Sequence, residues 1–261
     1  MVRQHRGFLS YDPDRHRYAI DWRESLSIAV GELLLDEILA ARPYIQGRLL
    51  DVGCGKRPYS LIYDSLVKMS VGTEVSFSPH GTAEADVLAS AEALPFRDKA
   101  FDTVMCTEVL EHTTDPLGTL RELSRLLTPG GHLLLSVPFL YPVHESPHDY
   151  WRLTPHGLDA ALRSAQLVPL YIHAKGGPVA TLVSLWANLA VRATNALSKW
   201  LRLSKRLSDR RVVRWMLALP QWAYLSVFGR NKARKKNVVV RELELWMSPG
   251  YMVVARRDPA S

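Results

Sequence analysis

Cysteine is scarce in this sequence, because Cys54 and Cys106 are the only two among 261 residues. Two cysteines exclude the multi-disulfide framework of a small secreted domain. The first ten residues are polar and basic, without the apolar core of a secretory signal. The apolar runs are too short or too often interrupted to predict a membrane span. These absences predict a cytoplasmic protein and leave open a peripheral contact with the inner face of a membrane.

Acidic residues are scarce between residues 176 and 246, where 14 Lys and Arg accompany only 3 Asp and Glu. The rest of the chain carries 19 basic and 23 acidic residues, so the net charge of +7 arises from this one segment. The segment also holds five of the seven tryptophans. Such a composition indicates an anionic partner, although a solvated helical surface would show the same charge. We find no RNA-binding motif, which makes a nucleic-acid partner the weaker alternative to a membrane surface.

Strand-like and helix-like stretches alternate over most of the chain. The predicted strands cover residues 48–52, 68–76, 86–88, 101–107, 132–137, 168–173 and 250–256. The predicted helices cover residues 23–41, 116–127 and 155–165, and a turn is predicted at 129–131. This alternation predicts an α/β fold, a parallel sheet with helices on both faces. Helices predicted over 178–203 and 209–228 interrupt it, as an insertion before the last strand.

A glycine turn follows the first of these strands. Leu49 and Leu50 suit a strand that is covered on both faces. Gly53 and Gly55 suit a turn in which the backbone bends sharply or lets a ligand approach closely. In a doubly wound α/β domain, a turn between strand and helix at this place builds a ligand site. The turn therefore predicts a binding site at the carboxyl ends of the strands.

Further motifs follow the glycine turn in a fixed order. They are Asp51–Gly55 (DVGCG), Glu74, Ala91–Phe96 (AEALPF), Phe101–Val104 (FDTV), Val109–His112 (VLEH) and Leu127–Gly131 (LTPGG). The ordered set resembles a class I S-adenosylmethionine-dependent methyltransferase of the type 11 group. That resemblance implies a Rossmann-like seven-stranded sheet with an antiparallel last strand. It also implies three regions: a helical N-terminal cap (1–46), a methyltransferase core (47–175 and 247–257) and a basic aromatic helical insertion (176–246).

The resemblance implies S-adenosylmethionine as the methyl donor and assigns residues to it. Glu74 suits two hydrogen bonds from the ribose hydroxyls, and Asp51 suits the amino group. Two positions depart from the family, since Ser90 stands where many members have Asp and Arg57 where a third glycine is common. Asp86 or Glu92 would then contact the adenine instead. The expected cofactor-binding set is Asp51, Gly53, Cys54, Gly55, Glu74, Asp86, Ala91, Glu92 and Thr107.

The spacing Glu-x-x-Glu-His follows the strand over 101–107. In the small-RNA 2′-O-methyltransferases, a similar motif and a later histidine bind a divalent metal. The corresponding metal set here would be Glu108, Glu111, His112 and His148, which could lower the pKa of a hydroxyl. The motif is also frequent in type 11 proteins, where the last two of its residues cap a helix or bind backbone. A metal is therefore an alternative that we do not expect.

A loop over residues 138–154 is rich in proline, histidine and aromatic side chains. Long loops in compact domains are uncommon and often carry function. The expected catalytic residues are His144, His148 and His112. The expected acceptor-binding residues are Tyr150, Arg152 and Trp22. In the competing interpretation, the aromatic residues and Arg152 only pack this loop onto the sheet. Its histidine and proline pattern also resembles bacterial methyltransferases associated with surface glycans.

Together these patterns predict an S-adenosylmethionine-dependent methyltransferase that acts on oxygen. The expected acceptor is a small molecule, a glycan or a lipid-linked intermediate. One alternative is a metal-assisted RNA 2′-O-methyltransferase. Another is a non-catalytic, membrane-associated binding protein that keeps the fold. For residues 176–246, an anionic membrane surface competes with a packed lid or a dimer surface.

Overall fold

A computed structural model describes residues 4–21, 27–203, 206–228 and 246–259. Its central element is a seven-stranded sheet in the order β6-β5-β4-β7-β8-β10-β9. The strands are β4 (Arg48–Val52), β5 (Met69–Glu74), β6 (Val87–Leu88), β7 (Phe101–Thr107), β8 (Leu127–Pro138), β9 (Leu167–Ala174) and β10 (Gly250–Arg257). Only β10 runs antiparallel to its two neighbours, β8 and β9. The predicted sheet and its antiparallel last strand are confirmed.

Consecutive residues of each central strand belong to two different cores. On one face, Leu50 and Val104 pack in a core with helices α3 (Pro116–Leu126) and α4 (Pro155–Ser164). On the other face, Leu49 and Met105 pack with α1 (Ile28–Ala41) and α2 (Ser60–Tyr63). Since side chains of a strand alternate between faces, a run of apolar residues fills both cores. This explains why the strands read as continuous apolar runs.

The N-terminal region contains a small sheet that the sequence patterns did not reveal. Strands β1 (Gln4–Arg6), β2 (Leu9–Asp12) and β3 (Arg17–Ile20) pair antiparallel in sequence order. Leu9 and Ile20 are buried in the same core as α1. Each strand is only three or four residues long and largely polar, which leaves little periodicity to recognise. The expected helical cap is thus part sheet and part helix.

Strand β8 begins earlier than the sequence predicted. The sequence predicts a turn at Pro129–Gly131, but β8 runs through these residues from Leu127 to Pro138. A shift in register between Phe101 and Thr103 of the paired strand accompanies this irregular start. Gly130 has a φ of +79°, which glycine adopts without strain. The turn residues therefore bend the strand without ending it.

Two long helices precede β10, as predicted. They are α5 (Pro178–Trp200) and α6 (Arg211–Phe228), which pack against each other and against α1. Among the described residues, no helix combines the length and apolar character needed to cross a bilayer. The basic run 230–236 and Trp22 lie outside the described residues.

Candidate active site

The glycine turn lies where the order of the sheet reverses. Strand β4 is followed by β5 on one side and is paired with β7 on the other. Ligands of open α/β sheets bind at such a switch point, beyond the carboxyl ends of the strands. Gly53 and Gly55 follow β4, Glu74 ends β5, and Thr107 ends β7. The structure thus brings these four predicted residues to one edge of the sheet.

Glu74 is a buried carboxylate held at the turn. Its Oε2 accepts a hydrogen bond of 2.8 Å from the Gly55 amide, and its Oε1 accepts one of 2.9 Å from the Val75 amide. Each carboxylate oxygen can accept a second bond. The two amides therefore fix the carboxylate and leave it able to receive a pair of ligand hydroxyls, as a ribose presents.

Asp51 is buried beneath the turn. The Tyr63 hydroxyl donates to its Oδ2 at 2.8 Å. Burial raises the pKa of Asp51 to about 7, although the Tyr63 hydrogen bond and the Arg57 charge oppose that increase. A cation placed beside it would favour the ionised form. Asp51 is thus suited to a positively charged ligand group such as an amine.

The backbone of the turn needs glycine at position 53. Gly53 has a φ of +66°, and a Cβ there would lie 2.3 Å from Val109 Cγ2. Gly81 has a φ of +85°, but a Cβ there would meet no atom within 4 Å. The two positions share a left-handed conformation and differ in the space around them.

We expect Gly53→Ala to lower the free energy of unfolding by about 2 kcal/mol more than Gly81→Ala, because only the former adds a steric clash to the backbone strain. Urea denaturation of both variants measures the difference. Equal losses of stability would show that Val109 does not constrain the turn.

Arg57 occupies the place of the third glycine and reshapes the turn. Its guanidinium donates to Asp86 Oδ2 at 2.8 Å and to Ser70 Oγ at 2.9 Å. The same Asp86 oxygen also accepts a bond of 2.8 Å from the Gly72 amide. Asp86 therefore ties Arg57 to β5. Its expected adenine contact would have to come from the other oxygen.

Glu92 has a structural partner instead of an open carboxylate. Its Oε1 accepts hydrogen bonds from the Thr114 hydroxyl at 2.8 Å and the Asp115 amide at 3.1 Å. These bonds hold the pKa of Glu92 below its usual value. Asp115 itself caps α3 by accepting from the Gly118 amide. The expected adenine contact of Glu92 would have to come from its other oxygen and stays a prediction, while the neighbouring Ala91 is buried in the core.

Cys54 and Thr107 complete the predicted cofactor-binding set. The Cys54 amide donates to the Thr73 carbonyl at 3.0 Å, which continues the pairing of β4 with β5 into the turn. Burial raises the pKa of the Cys54 thiol to about 12, so that it stays protonated at neutral pH. Thr107 pairs with Ser136 of β8 and is partly exposed. Both residues shape the edge of the sheet.

Glu111 lies at the centre of a second, polar group. It is buried in the short turn after β7, and neither carboxylate oxygen has a hydrogen-bond partner within the ranges described. Burial and then the nearby Glu108 charge raise the pKa of Glu111 well above its usual value. A buried carboxyl without a partner is costly and is a feature of functional sites. Glu111 therefore marks a candidate site for a proton, a metal or a substrate group.

Two histidine rings face Glu111. His112 Nε2 lies 3.7 Å from its Oε1, and His144 Nε2 lies 3.9 Å from the same oxygen. The other ring nitrogen of His112 donates to the His148 carbonyl at 2.6 Å. Consequently His112 Nε2 carries a lone pair when the ring is neutral. We call Glu111, His112 and His144 the Glu–His–His cluster.

His144 is backed by a fixed carboxylate. Its Nδ1 lies 3.1 Å from Asp149 Oδ2, a close contact whose alignment is not that of a hydrogen bond. Burial lowers the pKa of His144, although the Asp149 charge opposes that change. The His144 ring is thus neutral at neutral pH and can accept a proton. The pKa of Asp149 is lowered to about 2, since the Arg152 and His144 contacts outweigh burial, which would raise it.

Arg152 holds that carboxylate and corrects a sequence-based expectation. It binds Asp149 through two hydrogen bonds of 2.6 and 2.7 Å. Its remaining donors reach the carbonyls of Tyr141, Pro142 and Trp151. A guanidinium has five N–H donors, and all five are used here. The expected acceptor contact of Arg152 is therefore not supported, and the competing interpretation of a packed loop fits this residue.

The metal set that the sequence suggested is not assembled. Glu108 accepts hydrogen bonds from Ser136 and from the buried ammonium of Lys175, and these partners lower its pKa although burial would raise it. His148 is exposed and contacts the Tyr150 hydroxyl. In the described part of the chain, ligand atoms within 4.8 Å of one another belong instead to the Glu–His–His cluster. His144 thus takes the place expected for His148.

A second loop lies next to the cluster. His80 Nε2 contacts Glu145 Oε1 at 2.9 Å, and the other oxygen of Glu145 lies 3.9 Å from His112 Nε2. The hydrogen bond with Glu145 raises the pKa of His80. A cleft of about 490 Å³ opens beside this pair and includes Gly55 in its lining. Its size lies within the range of small-molecule sites.

The loop aromatics Tyr150 and Trp151 have different outcomes, and of these two only Tyr150 was expected to bind the acceptor. The Tyr150 amide donates to the Glu111 carbonyl at 2.8 Å, so its backbone docks the loop beside the cluster while its ring stays exposed. The Trp151 indole donates to the Thr113 carbonyl at 2.9 Å and packs the loop. Trp22 lies outside the described residues. A role of Tyr150 and Trp22 in acceptor binding stays a prediction.

Four residues of the site were not predicted as site residues. They are Lys175, His80, Glu145 and Asp149. The pairing of Lys175 with Glu108 joins residues 67 positions apart, which sequence spacing cannot reveal. A lysine at the end of a predicted strand, directly before two glycines, was the available signal. The others lie in loops without periodicity.

Comparison with known proteins identifies the domain. Residues 50–135 match the family model described as "Methyltransferase domain". A ubiquinone biosynthesis O-methyltransferase of Ralstonia nicotianae is 31% identical, over 41% of this chain and 50% of that protein. A tRNA U34 carboxymethyltransferase of Nautilia profundicola is 33% identical, over 33% of each chain. This chain thus spans about half the length, or less, of these curated relatives.

Solved structures share the fold over nearly the whole chain. The [4+2]-cyclase SpnF matches with a TM-score of 0.56 and 19% identity, covering 97% of this chain and 87% of that one. A Galdieria sulphuraria protein described as a sarcosine dimethylglycine methyltransferase matches with a TM-score of 0.51 and 15% identity, covering 95% and 92%. At such identities the likeness shows the fold alone. Residues 50–135 thus match a methyltransferase domain, and the seven-stranded sheet that contains them has the fold of these solved structures.

Proposed function

We propose that this protein transfers a methyl group from S-adenosylmethionine to a hydroxyl of a small or lipid-linked molecule. The observation that carries the proposal is the Glu–His–His cluster, which supplies bare ring nitrogens near the carboxyl ends of β4 and β7. A methyltransferase that acts on oxygen benefits from a base for the hydroxyl proton. The relatives named as O-methyltransferases support this choice of atom.

The residues at the glycine turn fit the methyl donor. Glu74 offers a fixed carboxylate for ribose hydroxyls, Asp51 favours a neighbouring cation, and Gly53 and Gly55 give the turn its left-handed backbone. When bound, S-adenosylmethionine supplies a methyl group on a positively charged sulfur. The protein's part is then to orient the acceptor and to receive its proton.

His144 is the residue best placed to receive that proton. Its Nδ1 faces Asp149, which favours a proton on that nitrogen and leaves Nε2 as the acceptor. Arg152 fixes Asp149 by two hydrogen bonds, and Asp149 in turn holds the backbone of His144 by accepting from its amide at 2.8 Å. The acceptor hydroxyl would donate to His144 Nε2 while its oxygen is methylated. Glu111 and His112 border the same space.

A metal-assisted reaction is the second candidate. It is favoured by the three ligand atoms of the cluster and by the unpartnered oxygens of Glu111. One carboxylate and two imidazoles suit Zn²⁺, Mn²⁺ or Fe²⁺, and metal–ligand distances near 2 Å would require these side chains to move closer together. A metal bound there would lower the pKa of the acceptor hydroxyl directly. The metal would also bind a ring nitrogen of His144, so that this histidine could no longer act as the base.

An acceptor panel with and without a chelator tests both candidates. We expect the full chain to release S-adenosylhomocysteine with phenolic, catecholic or sugar hydroxyls, and the new methyl group to be found on oxygen. Full turnover after treatment with a chelator would reject the metal-assisted reaction, whereas loss of turnover restored by Mn²⁺ or Zn²⁺ would support it. Methylation of nitrogen or carbon alone, or cofactor binding without turnover on any acceptor, would contradict the proposed function.

A further inference from the structure

Helix α5 buries small residues and exposes large apolar ones, the opposite of an ordinary surface helix. Its buried face consists of small and hydroxyl-bearing residues, namely Ala180, Thr181, Ser184, Ala187 and Ser198. Its exposed residues include large apolar side chains, namely Leu182, Leu185, Trp186, Leu189, Leu197 and Trp200. Their spacing is three or four positions, or eight between Leu189 and Leu197, which places them on one stripe along the helix. A water-exposed helix normally carries polar residues on that side.

Helix α6 repeats the pattern. Its exposed residues include Val212, Trp215, Met216, Leu219 and Val227, spaced by three or four positions up to Leu219 and by eight from there to Val227. Its buried face holds Leu217, Ala218, Gln221 and Tyr224. We call the exposed apolar residues of the two helices the α5–α6 surface. Large exposed apolar side chains grouped along a helix in this way are a feature of interaction sites.

The charged residues of the two helices and of residues 201–208, which follow α5, are all basic. Residues 176–208 and the whole of α6 contain no Asp or Glu. A cleft of about 540 Å³ at the carboxyl end of α5 is lined by Lys199, Arg202, Arg206, Leu203, Asn195 and Ser198. Trp200, the most exposed residue of the stripe, lies next to this cleft in sequence. Basic residues, tryptophan and leucine together are the composition of helices that lie in a membrane interface.

We propose that the α5–α6 surface docks on an anionic lipid bilayer, with lipid phosphates at the Lys199–Arg206 cleft. The apolar stripes enter the boundary between headgroups and acyl chains, and the cations at the cleft bind the phosphates. The surface adjoins the site, because Arg192 of α5 donates to the Val143 carbonyl in the loop that carries His144. Docking would therefore bring a membrane-borne acceptor close to the Glu–His–His cluster. The docking itself does not depend on the proposed methyl transfer.

Vesicle binding by the full chain tests the proposal. We expect co-sedimentation with phosphatidylcholine vesicles that contain phosphatidylglycerol, at least tenfold weaker binding to phosphatidylcholine alone, and weaker binding at high salt. Leu189→Glu combined with Arg202→Glu should lower the affinity for anionic vesicles more than tenfold. The matched control, Leu117→Glu with Arg121→Glu on α3, makes the same two exchanges at exposed positions and should change the affinity less than twofold.

Several outcomes would overturn this assignment. Wild-type protein that does not bind anionic vesicles, or equal losses in the two double variants, would do so. A wild-type dimer that the Leu189→Glu/Arg202→Glu variant converts to monomer, without vesicle binding by either protein, would show that the surface joins two copies of this chain. Inorganic phosphate that displaces the protein from vesicles at low concentration would reduce the site to a phosphate pocket. Thermal unfolding and cofactor affinity of each variant confirm that the fold is kept.

Discussion

Glu74→Ala is expected to weaken S-adenosylmethionine binding by about 100-fold or more. A charge-assisted hydrogen bond to a ligand contributes about 1.5–3 kcal/mol, and Glu74 can accept two from a ribose. The variant also leaves the Gly55 amide without the carboxylate that fixes it at 2.8 Å. The lost ribose hydrogen bonds and the released Gly55 amide both weaken the part of the site that binds the cofactor. Calorimetry of S-adenosylmethionine binding to the wild type and the variant measures the loss.

Glu92→Ala is the comparison for Glu74→Ala. Both residues were predicted to bind the cofactor, but the structure uses Glu92 to hold the start of α3. Loss of such a cap costs about 1 kcal/mol of stability. We therefore expect a lower melting temperature for Glu92→Ala with cofactor affinity changed less than about threefold. An unchanged affinity in Glu74→Ala would remove the ribose assignment.

His144→Ala is expected to lower kcat by a factor of about 100 to 10,000, the usual contribution of a general base. Cofactor affinity should stay within about threefold, because His144 belongs to the acceptor loop and not to the glycine turn. His148→Ala provides the matched control, since His148 lies in the same loop but is exposed and contacts the Tyr150 hydroxyl through its ring. Steady-state turnover of both variants makes the comparison. Equal losses of kcat would contradict the role of His144.

The pH profile separates a base from a structural histidine. His144 must be neutral to accept a proton, so kcat/KM should rise as pH increases through its pKa. Burial places that pKa below the ordinary value of 6.5, so the rise should lie on the acid side of 6.5. Asp149, with a pKa of about 2, stays charged across this range. The acid limb should shift in Asp149→Asn, whereas a merely structural role would leave it in place.

The sheet and the cofactor end of the site could be predicted because their signals are local. Leu49, Leu50 and Val52 are typical of a strand covered on both faces, and Gly53 follows at once. The order of the strands then brings Glu74 to the glycine turn. The strand and the turn follow from neighbouring residues and the general rules of α/β sheets, whereas the assignment of Glu74 and Asp51 to the cofactor came from the resemblance to a methyltransferase family.

The acceptor side could not be predicted to the same depth, because its geometry depends on which polar groups satisfy one another. The sequence suggested that Arg152 binds a substrate, but in the structure its donors bond Asp149 and three backbone carbonyls. The sequence suggested Glu108 as a metal ligand, but in the structure its carboxylate accepts a hydrogen bond from the Lys175 ammonium. His144 and His148 are equivalent in sequence pattern, and only the path of the loop separates them. The residue types indicate which reactions a side chain could support, but its hydrogen-bond partners in the fold determine whether it is free to do so.

The inserted helices show a related limit. Their lengths follow from the sequence, but the face of α5 that carries Leu189 looks like the core face of an ordinary amphipathic helix. The structure buries the opposite face, with Ala187, instead. Only the packing of α5 against α1 and α6 decides which face meets the solvent.

A crystal structure of the full chain with S-adenosylhomocysteine tests the central claim most directly. We predict that the ribose hydroxyls contact Glu74, that the amino group lies near Asp51, and that the sulfur faces the Glu–His–His cluster. This arrangement would join the glycine turn and the cluster in one active site. A ligand bound away from Glu74, or a sulfur that faces away from His144 and Glu111, would contradict the account.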